Sequence, residues 1–369
     1  MKTFRAIGLM SGTSFDGVDA AIIETDGEKV FATGPGLTQP YTDEERQILR
    51  TAMAVAAQQS DRDARPPELA EAEQVVTEAH AKAVDVILAA AGRDRSEIDI
   101  IGFHGQTVFH APDRHLTIQL GDGNALSRAT GIPVVFDFRK SDVAAGGQGA
   151  PMVPVYHRAL ADQSGLERPL AIINLGGVAN FTWIGRDGAM VACDTGPASA
   201  LIDDWVFSHS GAAYDAEGLL AASGTVDRAA LVALLDNPYF GLPAPKSLDR
   251  HAFSLDPVRG LSLEDGAATL TAFTAETLAL GLKRVPETPR MLVVCGGGAH
   301  NPSLLSAIER ATGIFTVVTG EALGWSSDHI EAEAFGYLAV RRMLFLPISF
   351  PMTTAVDAPM VGGEIAGPK

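Results

Sequence analysis

A chain of 369 residues, 46% hydrophobic and 20% charged, has the composition of a packed globular protein and a length that suits about two domains. Its net charge of −17, from 45 acidic against 28 basic residues, works against nucleic acid and anionic lipid, which are gripped by clustered Lys and Arg. The cysteines, Cys193 and Cys295, lie far apart without CxxC spacing, so neither a disulfide framework nor a zinc site is expected.

The opening MKTFRAIGLMSGTS reaches serines and a threonine before any signal-peptide apolar core, and no apolar run is long enough to span a bilayer. A cytoplasmic location with no membrane partner is therefore expected. Residues 6–10 read as a strand, 11–14 as a turn rich in glycine and hydroxyls, and 18–23 as a second strand. Residues 43–58 read as a helix. A longer helix over 67–90 carries Leu69, Ala72, Val76, Ala79, Ala83, Val86 and Ala90 at spacings of three and four, one buried face. Strands at 98–103, 116–120 and 132–136 follow, and the last enters the loop DFRKSDVAAGGQGAP. The domain boundary is placed there, giving a first α/β lobe over 1–142 and a second over 143–369, whose tail is free to pack back on the first.

The second half repeats the opening theme. A strand over 170–175, Gly176-Gly177 and a strand over 178–184 precede a run at 189–193 that enters Asp194-Thr195-Gly196-Pro197 and a helix over 199–207. A helix over 263–283 leads to a strand at 291–294 and Cys295-Gly296-Gly297-Gly298, and a last helix covers 329–343. Two halves that each open with a glycine hairpin imply a duplicated α/β lobe.

A tight Gly/Ser/Thr turn between strands exposes backbone amides that can wrap a phosphate oxygen. GLMSGTSFDG fits that description. It is no Walker A loop, because no GK[ST] follows and the next element is a strand; its plain alternative is an ordinary hairpin turn. NLGGVAN, DTGP and CGGGAHN also lie at strand ends, where ligands gather in open α/β sheets. Together these turns point to a nucleotide cleft.

Asp16 suits Mg²⁺, which takes one or two carboxylates besides water and phosphate, with an Asx turn as its alternative. Asp19 reads as a solvent or substrate contact. Asp194, at a strand end before a helix, is the leading general-base candidate, with a helix N-cap as its alternative. His104, Gln106 and Thr107 in GFHGQTVFH, with His110, Arg139 and Asp142, offer donors and acceptors to sugar hydroxyls, although a lone histidine is more often core or surface. No GxSxG elbow is present and neither cysteine has a local base, which disfavours a serine or cysteine nucleophile.

GLMSGTSFDGVDAA, GFHGQT, IQLGDGNAL, DFRKSDVAAGGQGAPMVP, NLGGVAN, DTGPASALID, PKSLDR and VVCGGGAHN occur in the order seen in anhydro-N-acetylmuramic acid kinases, and the chain resembles that family over nearly its whole length. The resemblance implies a two-lobed actin/hexokinase-like α/β fold, a duplicated ribonuclease H-like motif with an ATP cleft between the lobes. It also implies ATP and Mg²⁺ as cofactors, a small sugar as partner, and leaves a homodimer open. The activity implied is ATP-dependent opening of the 1,6-anhydro ring of anhydro-N-acetylmuramic acid to give the 6-phosphate.

By the same resemblance Ser11, Gly12, Thr13, Ser14, Phe15, Asp16, Gly17 and Val18 correspond to the phosphate-binding hairpin. Gly176, Gly177, Gly296, Gly297 and Gly298 are the further nucleotide turns. Asp194 resembles the catalytic base, Glu331 resembles a second acidic residue near the sugar, and Arg139 is matched to the lactyl carboxylate by charge. The chain departs from the frequent pattern at Ala198 and Ser199, where many members carry Gly and Asn, and at PKSLDR in place of PKSTGRE. The alternatives are a kinase of another sugar and a nucleotide-switched protein of the same fold.

Overall fold

The structure is a computed structural model that describes residues 2–248 and 253–368. It divides into two units, Met1–Ser164 with His329–Lys369, and Gly165–Asp328. In the first, β1 (Phe4–Ser11), β2 (Gly17–Thr25) and β3 (Val30–Pro40) form an antiparallel meander. On the other side of β1 lies β4 (Ile100–Ala111), parallel to it; β5 (Leu116–Leu120) folds back on β4, and β6 (Val134–Phe136) runs parallel to β4. The C-terminal strand Glu364–Ala366 closes the edge beside β6.

The second unit holds β7 (Leu170–Leu175), β8 (Val178–Ile184), β9 (Met190–Pro197), β10 (Met291–Cys295) and β11 (Val317–Thr319). Its order is β9-β8-β7-β10-β11, and the first sheet reads β3-β2-β1-β4-β6 over the corresponding strands. In both, three antiparallel strands adjoin two parallel ones. The duplication expected from two glycine hairpins is thus present as shared topology.

Local chemistry explains the element ends. Helix Asp43–Ala56 starts at a capping box, in which the Glu45 amide donates to Thr42 Oγ1 (3.2 Å) and the Thr42 amide to Glu45 Oε2 (2.7 Å). Helix Pro67–Ala91 starts with proline in its first turn and ends on left-handed Gly92. Its buried stripe bends away from Val86 and Ala90, which are exposed, and finishes on Val84, Ile87 and Leu88, because these larger side chains reach the sheet. Helix Ile330–Met343 lies directly on β1 and β4. A Cβ at Gly8 would overlap the Ala332 carbonyl, and one at Gly102 the Phe335 carbonyl.

The division falls after Ser164, beyond the 142/143 boundary placed in the glycine-rich loop, because helix Pro154–Gln163 packs within the first unit through Tyr156 against Glu333 and Tyr337. Three strands also run differently from expectation. The sequence reading left β3 out: VFATGPGLTQP is a largely exposed edge strand with glycines and prolines and no alternation. Beyond residue 103, β4 continues through HGQT, so that motif is strand and not loop. Likewise β9 continues through Asp194 to Pro197. Among the described residues no single helix is long and apolar enough to cross a membrane.

Candidate active site

The β1–β2 turn narrows the expected hairpin. Ser11, Phe15, Gly17 and Val18 are buried, while Thr13, Ser14 and Asp16 are exposed and Gly12 is half-buried. Phe15 adopts a left-handed conformation (φ 59°), rare outside glycine, with its ring in the core and its carbonyl accepting from Arg46 Nε at 3.1 Å. Among the described residues the amides of Thr13 and Ser14 bond no protein acceptor, so they remain available for an anion. The Ser11 hydroxyl is spent internally: it donates to Gln106 Oε1 (2.5 Å) and lies 3.0 Å from the Tyr41 hydroxyl. A Cβ at Gly12 would meet only Ser14 Oγ, at 3.7 Å, which leaves open space over the turn.

Among the described residues no group of three His, Cys, Asp or Glu side chains is arranged to hold a metal. Asp16 is an exposed carboxylate beside the free amides, a donor set that suits Mg²⁺ bound chiefly through phosphate and water.

Beside the hairpin, β4 carries an extra residue between the pairs Leu9↔Phe103 and Ser11↔Gln106, and left-handed Gly105 makes this bulge. The bulge brings His104 inward, where Arg139 Nη2 donates to its Nε2 at 3.0 Å. The His104 pKa is held well below the ordinary value, by burial first and by Arg139 next, so the ring is neutral and carries its proton on Nδ1. Arg139 Nη1 also donates to the Gly149 carbonyl at 2.6 Å. His110, lowered to about 4 by burial, spans Thr117 Oγ1 and the Gln148 carbonyl, 2.9 Å from each. Asp142 folds the glycine-rich loop, accepting from the Gly149 amide and the Thr354 hydroxyl at 2.6 Å each.

Of the four expected sugar contacts, His104 and Gln106 are thus buried and hold other groups, whereas Thr107 and Arg139 keep partial exposure. Glu331 joins this cluster from helix Ile330–Met343. Burial raises its pKa, while the Arg139 charge opposes that rise and the Asp19 charge adds to it.

In the second unit, the register of β8 with β9 shifts between Ala179↔Gly196 and Asn180↔Asp194, leaving Thr195 as a bulge next to Asp194. Bulges re-aim side chains at strand ends, and here the carboxylate meets the PKSL segment. The Leu248 amide donates to Asp194 Oδ2 (2.8 Å), the Asp194 amide donates to the Lys246 carbonyl (3.0 Å), and the Tyr239 hydroxyl donates to the Asp194 carbonyl (2.8 Å). These contacts use the backbone of Lys246 and Leu248, so the departure from PKSTGRE at Leu248 preserves them. Asp249 and Arg250 of PKSLDR lie outside the described residues. Burial lowers the Lys246 pKa, and its Nζ donates to the Tyr239 carbonyl at 2.9 Å. Burial also pushes the Cys193 thiol up to about 12, so it is no nucleophile.

Asp194 does not cap the following helix. Helix Ser199–Ser210 begins at Ala198 without a side-chain cap; instead the amides of Ser199 and Ala198 donate to the carbonyls of Gly176 and Gly177, both at 3.0 Å. Gly297 and Gly298 line a cavity of about 570 Å³, within the range that holds small ligands, together with Ser199, Asp203, Tyr214 and Asp215. Left-handed Gly296 makes the turn, packed under Asn174 and the Leu175 carbonyl.

A family model described as anhydro-N-acetylmuramic acid kinase matches residues 4–367. The chain belongs to the anhydro-N-acetylmuramic acid kinase family. The anhydro-N-acetylmuramic acid kinase of Rhizorhabdus wittichii is 54% identical over 98% of this chain and 99% of its own, and that of Bradyrhizobium diazoefficiens is 52% identical over the same shares. Among solved structures, component A of (R)-2-hydroxyglutaryl-CoA dehydratase from Acidaminococcus fermentans aligns with 92% of this chain and 99% of its own at 11% identity and a TM-score of 0.48. Membership of the anhydro-N-acetylmuramic acid kinase family makes this protein a kinase and disfavours the nucleotide-switched alternative.

Sequence reasoning passed over several residues around these sites. Tyr41 is an isolated aromatic with no local pattern, Tyr239 lies in no recognised motif, and Lys246 and Leu248 meet Asp194 through backbone. Glu333 had a signal that went unused: a second carboxylate inside the otherwise apolar EAEAFGYLAV, where each charge is buried or half-buried.

Proposed function

We propose that this protein uses ATP and water to convert 1,6-anhydro-N-acetylmuramic acid into N-acetylmuramic acid 6-phosphate. The observation that carries the reading is the family match along the whole chain at about half identity to its relatives. Asp194, its carboxylate held by the Leu248 amide, takes a proton from water as that water attacks the anomeric carbon. The bond from the anomeric carbon to the bridging oxygen breaks, and that oxygen accepts the γ-phosphoryl group while ADP leaves. One proton is released.

The free amides of Thr13 and Ser14 are assigned to the phosphates, where fixed donors stabilise charge spread over the phosphoryl oxygens. Asp16 would hold Mg²⁺, which when bound supplies charge neutralisation at the phosphates. The cavity beside Gly297 and Gly298 suits the nucleoside end of ATP: among the described residues its lining carries Asp203, Asp215 and Glu217 and no Lys or Arg, a poor match to a triphosphate. Thr107 and Arg139 are assigned to the sugar, Glu331 to its polar groups, and His104 and Gln106 to holding Arg139 and Ser11. A cytoplasmic location fits a substrate pair of ATP and a small sugar.

The test is product analysis in ¹⁸O-water with and without ATP. With ATP, the 6-phosphate should form with unlabelled oxygen beneath the phosphate, and rapid NMR should show the anomer opposite to the bridge first. Unphosphorylated ring-opened sugar made without ATP, or label in the 6-oxygen, would overturn the coupled reaction.

A further inference from the structure

The C-terminal segment grips the glycine-rich loop through one residue. Thr354, wholly buried at the end of the short helix Pro351–Thr354, lies 212 residues from Asp142 along the chain, yet its hydroxyl donates to Asp142 Oδ2 at 2.6 Å. Its carbonyl accepts from the Gln148 amide at 2.5 Å. The chain leaves this helix through Ala355 in a left-handed conformation (φ 65°), rare for a residue with a Cβ. Val356 then packs against Gly147, where an added Cβ would come within 2.6 Å of Val356 Cγ1.

The loop passes this hold on to two side chains. Asp142 Oδ1 accepts from the Gly149 amide at 2.6 Å, and the carbonyl of the same Gly149 accepts from Arg139 Nη1, also at 2.6 Å. One residue earlier, the Gln148 carbonyl meets His110 Nε2 at 2.9 Å. Gly149 is itself left-handed (φ 67°), and a Cβ there would stand 2.5 Å from Val143 Cγ2, so the pivot is closely packed. Asp142 is 2% exposed, and among the described residues no cation pairs with it. A buried carboxylate held by two neutral donors depends strongly on each of them.

We propose that Thr354 is a positioning residue for the sugar: it latches the loop over 145–150 so that the Gly149 carbonyl holds the Arg139 guanidinium in the plane that meets the lactyl carboxylate. The proposal rests on the reading that Arg139 binds that carboxylate. Thr354 is wholly buried, so it acts through the loop and not on substrate. A guanidinium recognises a carboxylate as a planar fork, which makes the bond sensitive to the tilt of that plane. Without the Thr354 hydroxyl, Asp142 loses a donor, the Gly149 peptide relaxes, and the carbonyl that fixes Arg139 Nη1 moves with it.

The experiment measures calorimetric binding to the full chain of 1,6-anhydro-N-acetylmuramic acid and of 1,6-anhydro-N-acetylglucosamine, the same sugar without the lactyl group. The parent should prefer the first by about tenfold, the worth of a hydrogen bond to a charged group. Thr354→Val keeps the side-chain shape and removes the hydroxyl. It should weaken the first sugar about three- to tenfold and leave the second sugar and KM for ATP within about twofold. Thr354→Ser, which restores the hydroxyl, should restore the preference. In an Arg139→Ala background Thr354→Val should weaken the first sugar no further, because the group it positions is gone. Should the carboxylate left with one donor prevent Thr354→Val from folding, Thr354→Val combined with Asp142→Asn, which buries no charge, replaces it with the same expected result. Equal weakening of both sugars, or a lower melting temperature with both affinities unchanged, marks a purely structural role and overturns the latch. A parent without the preference, or an Arg139→Ala variant that keeps it, overturns the assignment of Arg139 and the latch with it. If Arg139→Ala abolishes the preference and Thr354→Val does not alter it, only the latch fails.

Discussion

Asp194 Oδ2 accepts a hydrogen bond of 2.8 Å from the amide of Leu248, 54 residues further along the chain. A backbone donor survives any side-chain substitution at its own position except proline, which has no N–H. The carboxylate is therefore aimed by chain path, with the Asp194 amide bound to the Lys246 carbonyl (3.0 Å) completing the clamp.

Asp194→Asn can keep that bond through its amide oxygen, so the variant should fold and melt close to the parent. It cannot take a proton from water. Turnover should fall by about two to four orders of magnitude, while calorimetric binding of a non-hydrolysable ATP analogue stays within a few fold. Near-parental turnover in the folded variant would remove Asp194 from the mechanism.

Gly12→Ala separates phosphate access from folding. The added Cβ meets nothing in the protein closer than 3.7 Å, so stability should hold, within about 0.5 kcal/mol. If the amides of Thr13 and Ser14 cradle phosphate, the methyl group intrudes on the ligand and KM for ATP rises several fold. An unchanged ATP titration would count against the hairpin as the phosphate site.

Gly8→Ala should do the reverse. Its methyl group would overlap the Ala332 carbonyl in a rigid helix, forcing Ile330–Met343 off the sheet. Overpacking of this kind costs on the order of 2 kcal/mol or more, and here it displaces Glu331 too. Urea denaturation should show an earlier midpoint, and a midpoint equal to the parent's would mean that the helix is not seated as described.

Glu333→Gln should stabilise the protein in a pH-dependent way. Burial raises the carboxyl from 4.5 to about 7, so the folded state holds a proton that the unfolded chain releases earlier. Stability is unpenalised below about pH 4.5, falls as pH rises toward 7, and is constant above that, the total loss being about 3 kcal/mol. Urea midpoints of parent and variant should nearly coincide at pH 4 and separate at pH 8, the variant being higher. A separation that is the same at both pH values would show that Glu333 does not titrate in this range.

Much of the fold was legible from local pattern. Three- and four-residue periodicity marks the helix Pro67–Ala91, apolar runs mark the central strands, and two glycine hairpins announce a repeat, because each of these is enforced within a few residues of chain. Asp194, the hairpin and the glycine turns could be named as candidates from sequence for the same reason: the chemistry proposed for them resides in short motifs. Which of them face outward is a different question. Ser11 and Gln106 sit in a motif and yet spend their polar atoms on each other, a pairing across 95 residues that no local pattern encodes. His104 reads as a ligand contact and is turned inward by a bulge at Gly105 to hold Arg139. The edge strand Val30–Pro40 escapes notice because an exposed edge needs no apolar alternation, and the seat of Ile330–Met343 depends on glycines in two strands nearly 100 residues apart. Sequence by itself determined most of the elements, the repeat and the candidate reactive groups, since those follow from covalent neighbours. Only tertiary structure decided which polar groups remain for ligands and which are consumed in holding others, because a hydrogen-bonding atom satisfied by a distant partner is no longer offered to substrate.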